Sequence, residues 1–535
     1  MLVSGGVLLA AHGAEGSGHA SGRHVVVAGA KPGGSSVPTS TTVPAPTFMG
    51  PDGMEATWVI QENAKPGTTA WRLSGSATGI AGFADHTYAQ VGDTVTLYVS
   101  TVAPTFEVAA YRIGYYQGTG GRLVWQSATM AGTQQPACPV TSGINMVACD
   151  NWTPTLNVTL SSAFVEGDYL FKLTGSGGQQ SWVPLTVWNP SSTATYVIKN
   201  DLYTWEAWNP YGGYDFYAGP GRCPRGVYPI CTRARVVSFD RPYGYGGGAA
   251  DFLGNEYPLV RFAEQHGLDV TYATDLTIEE HPDFLARHTT LLSLGHDECW
   301  SLGERQAAVA AEQHGLNIVF FAASAVLRHV RPQPSPLGPD RELVDYRDSG
   351  ADPLLGKVSP LEVTGNTWSS PPANWPEISF VGERYSGFRE PGASPSPFVV
   401  ADGSAWIFSG TGLTTGTRVP DMLLSDFDQF DPAEHPADLQ IFAHSPIPRA
   451  NTESETSIRG GPASDMTYYT DPQSLAGVFD TGTNNWIPAM LPCAPALAPC
   501  PAGVVDQMTG NLLRTFARGP AGRSQPSVAN WAQVY

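Results

Sequence analysis

The chain has 535 residues and a formal net charge of −19, with only 29 lysines and arginines. That length supports two or three domains with sizeable cores. The scarcity of basic residues, none of them in runs, excludes nucleic acid and anionic membrane as expected partners. No apolar stretch of about 18 residues follows the N-terminus, so no transmembrane segment is expected.

Residues 1–55 combine the short apolar segment MLVSGGVLLAA with Gly, Ser, Pro and Thr tracts, and read as a signal remnant followed by a low-complexity stalk. Cysteines point to the same compartment. Cys138 with Cys149, Cys223 with Cys231 and Cys493 with Cys500 form close pairs without CxxC spacing, and Cys299 is left over. Three local disulfides and a secreted or cell-surface protein are expected.

From 56 to 190 short alternating runs such as DTVTLYVST, FEVAAYRIGYY, DYLFKLTG and SWVPLTVW are bounded by Gly, Pro, Ser or Asn. Their spacing predicts an immunoglobulin-like β-sandwich. Tyr111, Tyr115, Tyr116 and Trp125 either form a carbohydrate-binding face or pack inside.

Residues 191–535 change style. TYVIKN, LDVTYATD, TTLLSLGH and LNIVFFAA read as strands, and EYPLVRFAEQHG, PDFLARH and LGERQAAVAAEQHG as helices. The alternation predicts right-handed crossovers and a doubly wound α/β domain, so the whole is α+β and multidomain. Further on, VTGNTW, ISFVGERY, AWIFSGTG, LQIFAHSPI and LAGVFDTGTNNWIPAM suggest more strands and turns, and NLLRTFARGPAG a short terminal helix.

The decisive stretch is Leu291 to Trp300, LLSLGHDECW. An apolar strand ends at Gly295, and His296 and Glu298 follow two apart, so both can address one point beyond the carboxyl end of the strand. Ser301 and Glu304 have the spacing of a capping box for the next helix. A long insertion dense in Trp, Tyr and Gly leaves the same sheet edge after TYVIKN, as functional loops do.

Several chemistries suit these residues. H-x-E also occurs in zinc deaminases, but the PCxxC they require is missing. A facial iron triad would add a histidine such as His314, His329, His435 or His444. Cys299 could serve as a nucleophile with His296 as base, or be a buried thiol.

TWEAWNPYGGYDFY, VSFDRPYG, GHDECWS and GVFDTGTNNWIPAM resemble, in that order, the signature segments of the large (β) subunit of N,N-dimethylformamidase and its relatives. The resemblance implies a glutamine-amidotransferase-like α/β domain and an amidohydrolase whose iron (ferric) is held by two tyrosines and a glutamate. Carried onto this chain, Glu298 would be the glutamate ligand, Tyr217 one tyrosine, and His296 a ligand or catalytic group. The second tyrosine falls within TWEAWN, where Trp205 and Trp208 stand. An indole has no anionic oxygen, so Tyr211, Tyr214 or His296 takes that place, or no metal is held. A small-molecule amide is the implied substrate, and an oligomer or a small partner subunit is compatible with it. The alternative is a secreted non-catalytic module that binds carbohydrate or protein through a degenerate α/β domain.

Overall fold

Strand Thr94–Thr101 turns Val95, Leu97 and Val99 to one side and pairs antiparallel with Ile80–Ala84 and Leu156–Thr159. A second sheet joins Thr105–Ile113, Gly167–Gly175 and Gln180–Val187, flanked by Gly121–Gln126 and Tyr88–Ala89. Its Val108, Ala110, Phe171, Leu173, Val183 and Leu185 share one core with the first sheet, the alternation expected where each sheet buries one face. Tyr111 and Tyr116 are buried and Trp125 packs at the edge of that core, so these rings do not form an exposed sugar-binding face.

The computed structural model describes residues 46–221, 229–390, 392–452, 461–492 and 501–535. The expected signal remnant and most of the stalk lie outside them. The stalk boundary is corrected at its end: Thr47–Met49 and Met54–Ala56 form a hairpin. Its order comes from long-range partners, since Met54 N–H donates to the Tyr196 hydroxyl at 2.9 Å and Glu55 bridges Leu268. Local composition carries no trace of such contacts.

The second sheet system is built from β1 (Tyr196–Asn200), β2 (Val270–Thr274), β3 (Thr290–Ser293), β4 (Asn317–Phe320), β5 (Gln440–Pro446), β6 (Ala463–Thr470) and β7 (Gly477–Asp480). Their order is β2-β1-β3-β4-β7-β6-β5, parallel from β2 to β7 and antiparallel beyond. Among the helices are the five α1 (Leu202–Ala207), α2 (Tyr257–Gln265), α3 (Asp275–Glu280), α4 (Leu302–Glu312) and α5 (Ala502–Phe516). Ile198, Leu292, Val319 and Phe479 face α2 and α5, whereas Val197, Leu291, Ile318 and Val478 face α3 and α4. Successive residues of a strand point to opposite faces, so helices cover both. The described chain is mixed α and β, with more sheet than helix. No helix among the described residues is long and apolar enough to cross a membrane.

β2 lies on one side of β1 and β3 on the other, so the connections reverse direction at β1. The crevice between the carboxyl ends of β1 and β3 is therefore the topological switch point, where open α/β sheets bind ligands.

Towards the C-terminus β5 and β7 fall where strands are expected, but AWIFSGTG holds a 3₁₀ turn at Trp406–Phe408. ISFV is a helical turn at Ile378–Val381, with the strand Arg384–Arg389 following it. VTGNTW has no regular element, and the terminal helix is α5, longer than NLLRTF alone. In short buried runs helix and strand present the same apolar signal, so period cannot separate them.

His329 shows how this core responds to acid. Its ring stacks on Trp368 at 3.7 Å, and both ring nitrogens are buried without a hydrogen-bond partner. Burial first, then Arg331 and Arg305, push its pKa down from 6.5 to about 3 against the pull of Asp352. Between those two values the unfolded chain binds a proton that the folded chain refuses. Stability is therefore whole above the upper value and falls as pH drops through the window. His329→Phe keeps the stack, and between about pH 7 and pH 4.5 it is expected to lose ~2–3 kcal/mol less than the parent. Urea titrations at the two pH values measure this, and equal losses would refute it.

Candidate functional site

β3 ends at Ser293, and the backbone turns at Gly295, whose φ is +53°. A Cβ there would lie 2.5 Å from the carbonyl oxygen of Asn255, so only glycine fits. Beyond it His296 and Glu298 face a cavity while Asp297 points inward, as two-residue periodicity requires. Asp297 meets Lys199 Nζ at 2.7 Å and accepts from Ser293 Oγ at 2.6 Å. Lys199 Nζ also lies 2.6 Å from Asp275, 3.0 Å from Glu304 and 3.4 Å from Asp201. Oxygens of Asp201, Asp275 and Asp297 come within 4.8 Å of one another, close enough for a cation, but the Lys199 ammonium already sits among them.

Helix α1 holds the turn from the other side. Thr204 Oγ1 accepts the backbone N–H groups of Glu298 and Cys299, each at 3.1 Å. Ser301 caps α4 by accepting from Glu304 N–H at 3.2 Å. The expected capping box is only half made, because the Glu304 carboxylate goes to Lys199.

The cavity at the switch point has a volume of about 1080 Å³ and is lined by Trp208, Tyr217, His296, Glu298, Arg328, Arg347, Asp251 and Asp426 among others. Glu298 is its hub. Oε2 accepts from the Tyr217 hydroxyl and from Trp208 Nε1 at 3.2 Å, and lies 3.5 Å from His296 Nε2. Oε1 accepts from Arg328 Nε at 3.1 Å. Burial works against the Glu298 charge, but Arg328, then His296 and Arg347, and the Tyr217 hydrogen bond keep its pKa below the usual range. Burial likewise opposes charge on His296, yet Glu298, followed by Asp426, Asp251 and Asp297, raises its pKa. Burial and Glu298 lift the Tyr217 phenol well above its ordinary value, with Arg347 opposing. The Tyr217 ring is held between the Trp208 indole, stacked at 3.6 Å and 11°, and the Arg347 guanidinium at 4.2 Å.

Arg328 arrives on the segment after β4, where Ser324 and Val326 have φ of +60° and +56°. Left-handed conformations at non-glycine residues cost about 1–3 kcal/mol each and persist only when over-determined. Here the Asp428 carboxylate accepts from Ser324 N–H at 2.7 Å and Ala325 N–H at 3.2 Å, while Val326 N–H reaches Asp297 O at 3.0 Å.

Tyr217, His296 and Glu298 thus share one cavity. Tyr211 and Tyr214 do not line it: the first packs beside Cys149 and Phe83, the second against the larger core. Of the two tryptophans of TWEAWN, Trp208 occupies the cavity, whereas Trp205 donates to Glu256 Oε1 at 2.6 Å. His314, His329, His435 and His444 do not line it either. Cys299 is a buried free thiol whose pKa is pushed well above normal by burial and by Glu298, which disfavours a nucleophilic thiolate. The disulfide Cys138–Cys149 is formed. Cys231 is disulfide-bonded, while Cys223, Cys493 and Cys500 lie outside the described residues.

Arg328, Arg347 and Asp426 were not anticipated. Arg328 follows a parallel strand and could have been sought there; Arg347 and Asp426 sit in sequence with no comparable signal.

A family model described as N,N-dimethylformamidase beta subunit-like, C-terminal, matches residues 107–496. No curated protein matches the chain. Among solved structures, a cycloisomaltooligosaccharide glucanotransferase of Paenibacillus sp., complexed with cycloisomaltoheptaose, aligns at 9% identity and a TM-score of 0.14. That alignment covers 52% of this chain and 35% of the other, and carries no argument.

Proposed function

We propose, from the premise that this chain belongs to the N,N-dimethylformamidase beta subunit-like family, that it is a secreted, metal-assisted amidohydrolase cleaving an amide C–N bond in the cavity around Glu298. The observation that carries this is the meeting of Tyr217, Trp208 and His296 on one oxygen of Glu298 at the switch point. Secretion is supported by the Cys138–Cys149 disulfide. With it goes the reading of an immunoglobulin-like sandwich up to about residue 190 and an amidotransferase-like doubly wound domain after it.

Phenol, carboxylate and imidazole are hard to borderline donors, a set that fits iron. Tyr217, Glu298 and His296 would hold it, and when bound it would polarise the amide carbonyl and acidify water. Trp208 cannot donate a lone pair. Its N–H instead orients Glu298 together with Arg328 Nε. Where His296 stays off the metal, Glu298, then Asp426 and Asp251, favour its protonated ring against the cost of burial, and it can then give a proton to the leaving nitrogen.

The second reading, a ligand-binding module without turnover, is favoured by one observation: an indole N–H addresses Glu298 where the family resemblance implies a tyrosine. Metal analysis with visible absorption separates the two. A hydrolase of this kind should carry about one iron per chain and a coloured tyrosinate band that Tyr217→Phe abolishes. Glu298→Ala is expected to lower kcat/KM on an amide by ~10³-fold or more. Colourless, metal-poor protein that Glu298→Ala leaves unaltered would support the binding module.

A further inference from the structure

Two guanidinium groups in the cavity wall have N–H groups with no acceptor. The Arg347 side chain is 7% exposed; its Nε pairs with Asp345 Oδ2 at 3.1 Å, while Nη2 is buried without a hydrogen-bond partner. Its backbone is strained to φ +52°, and Asp345 Oδ1 accepts its N–H at 2.9 Å. Arg389 donates Nη1 to Leu423 O at 3.2 Å and Nη2 to Ser394 O, but its buried Nε makes no bond. Among the described residues Arg389 has no acidic partner within salt-bridge distance.

The acids of the cavity do not answer these donors. Glu298 is engaged by Arg328, and Asp426 accepts from Asn484 Nδ2 at 3.2 Å and from the Tyr385 hydroxyl at 3.3 Å. Asp251 and Asp426 act on His296, and Glu390 is exposed. A planar guanidinium with a free N–H matches a carboxylate better than any neutral group. Arg347 lies 4.2 Å from the Tyr217 ring, whose hydroxyl bonds Glu298, so an anion received there stays close to the reacting centre. The volume of about 1080 Å³ lies just above the usual range for small-molecule sites, and a dimethylformamide-sized ligand would leave most of it to water.

We propose that this cavity selects amides carrying a carboxylate next to the scissile bond, the N-acyl-amino-acid class, with Arg347 as the receiving group and Arg389 supporting it. The word substrate rests on the hydrolase reading above; recognition of the anion does not. Calorimetry on the full chain with N-acetylglycine and its neutral methylamide tests it. The acid should bind at least tenfold more tightly, and Arg347→Gln should weaken the acid by about 30-fold, well beyond any loss it causes for the neutral amide. Arg389→Gln should weaken the acid in the same sense, and it decides the matter if Arg347→Gln does not fold. Equal affinity for acid and amide, or acid affinity indifferent to the variants that fold, overturns the proposal. Arg347-dependent binding without hydrolysis upholds it and defeats the hydrolase reading. Hydrolysis that prefers neutral amides does the reverse.

Discussion

Replacing Lys199 with methionine is expected to destabilise the protein by about 3–5 kcal/mol and to loosen the turn that presents His296 and Glu298. The side chain is fully buried, and its ammonium has Asp201, Asp275, Asp297 and Glu304 within 3.4 Å. Burial pushes Asp201 and Glu304 well above the usual carboxyl range and Asp297 to about 6, so the pocket already holds less than the full complement of negative charge. Without the ammonium, the remaining carboxylates lose the partner that offsets their desolvation, and they must take up protons or water. Asp297 lies between the two residues aimed at the cavity, so its release reaches the site through one peptide unit on either side. Urea denaturation measures the stability loss, and ligand affinity or kcat/KM measures the effect on the site. A change below about 1 kcal/mol would mean that the acids are neutral in the fold and the lysine is dispensable.

The turn itself was legible because its signals are local. Alternation puts His296 and Glu298 on one side, and Gly295 marks a backbone that no side chain tolerates. Strand and helix succession revealed β1 to β4, but not their order, which depends on which side of β1 each crossover lands. The rest of the cavity comes from far along the chain. Arg347 and Asp426 lie in segments whose composition resembles any loop, and only the fold brings them to Glu298. Trp208 was visible as a departure from the family pattern. That its N–H reaches the same oxygen as Tyr217 is a matter of geometry alone. Hairpin Thr47–Ala56 was missed for the same reason, since its partners Tyr196 and Leu268 are remote.

Arg112→Met should cost a further 3–5 kcal/mol by itself, because it strips the charge that Glu264 was buried against. Arg112 belongs to strand Thr105–Ile113 and Glu264 to α2, and both side chains are 0% exposed. Arg112 Nη1 donates to Glu264 Oε2 at 2.8 Å and Nη2 to Oε1, while Nε reaches the carbonyl oxygen of Glu166 at 3.0 Å. Asn63 Nδ2 at 2.9 Å and the Tyr272 hydroxyl at 2.6 Å complete the Glu264 carboxylate. Every oxygen is thus satisfied, the condition under which a buried pair repays its desolvation. The pair also joins the first sheets to the helix that covers β1 and β2. Removing both partners takes away both buried charges, so Arg112→Met with Glu264→Leu should be no less stable than either single variant. Recovery stays incomplete, since Asn63 and Tyr272 lose an acceptor at about 1–3 kcal/mol each. A double-mutant cycle in urea should therefore give a coupling of at least ~2 kcal/mol. Simple additivity would show that the ion pair is incidental and that packing around Trp71, Trp182 and Tyr257 alone holds the two sheet systems together.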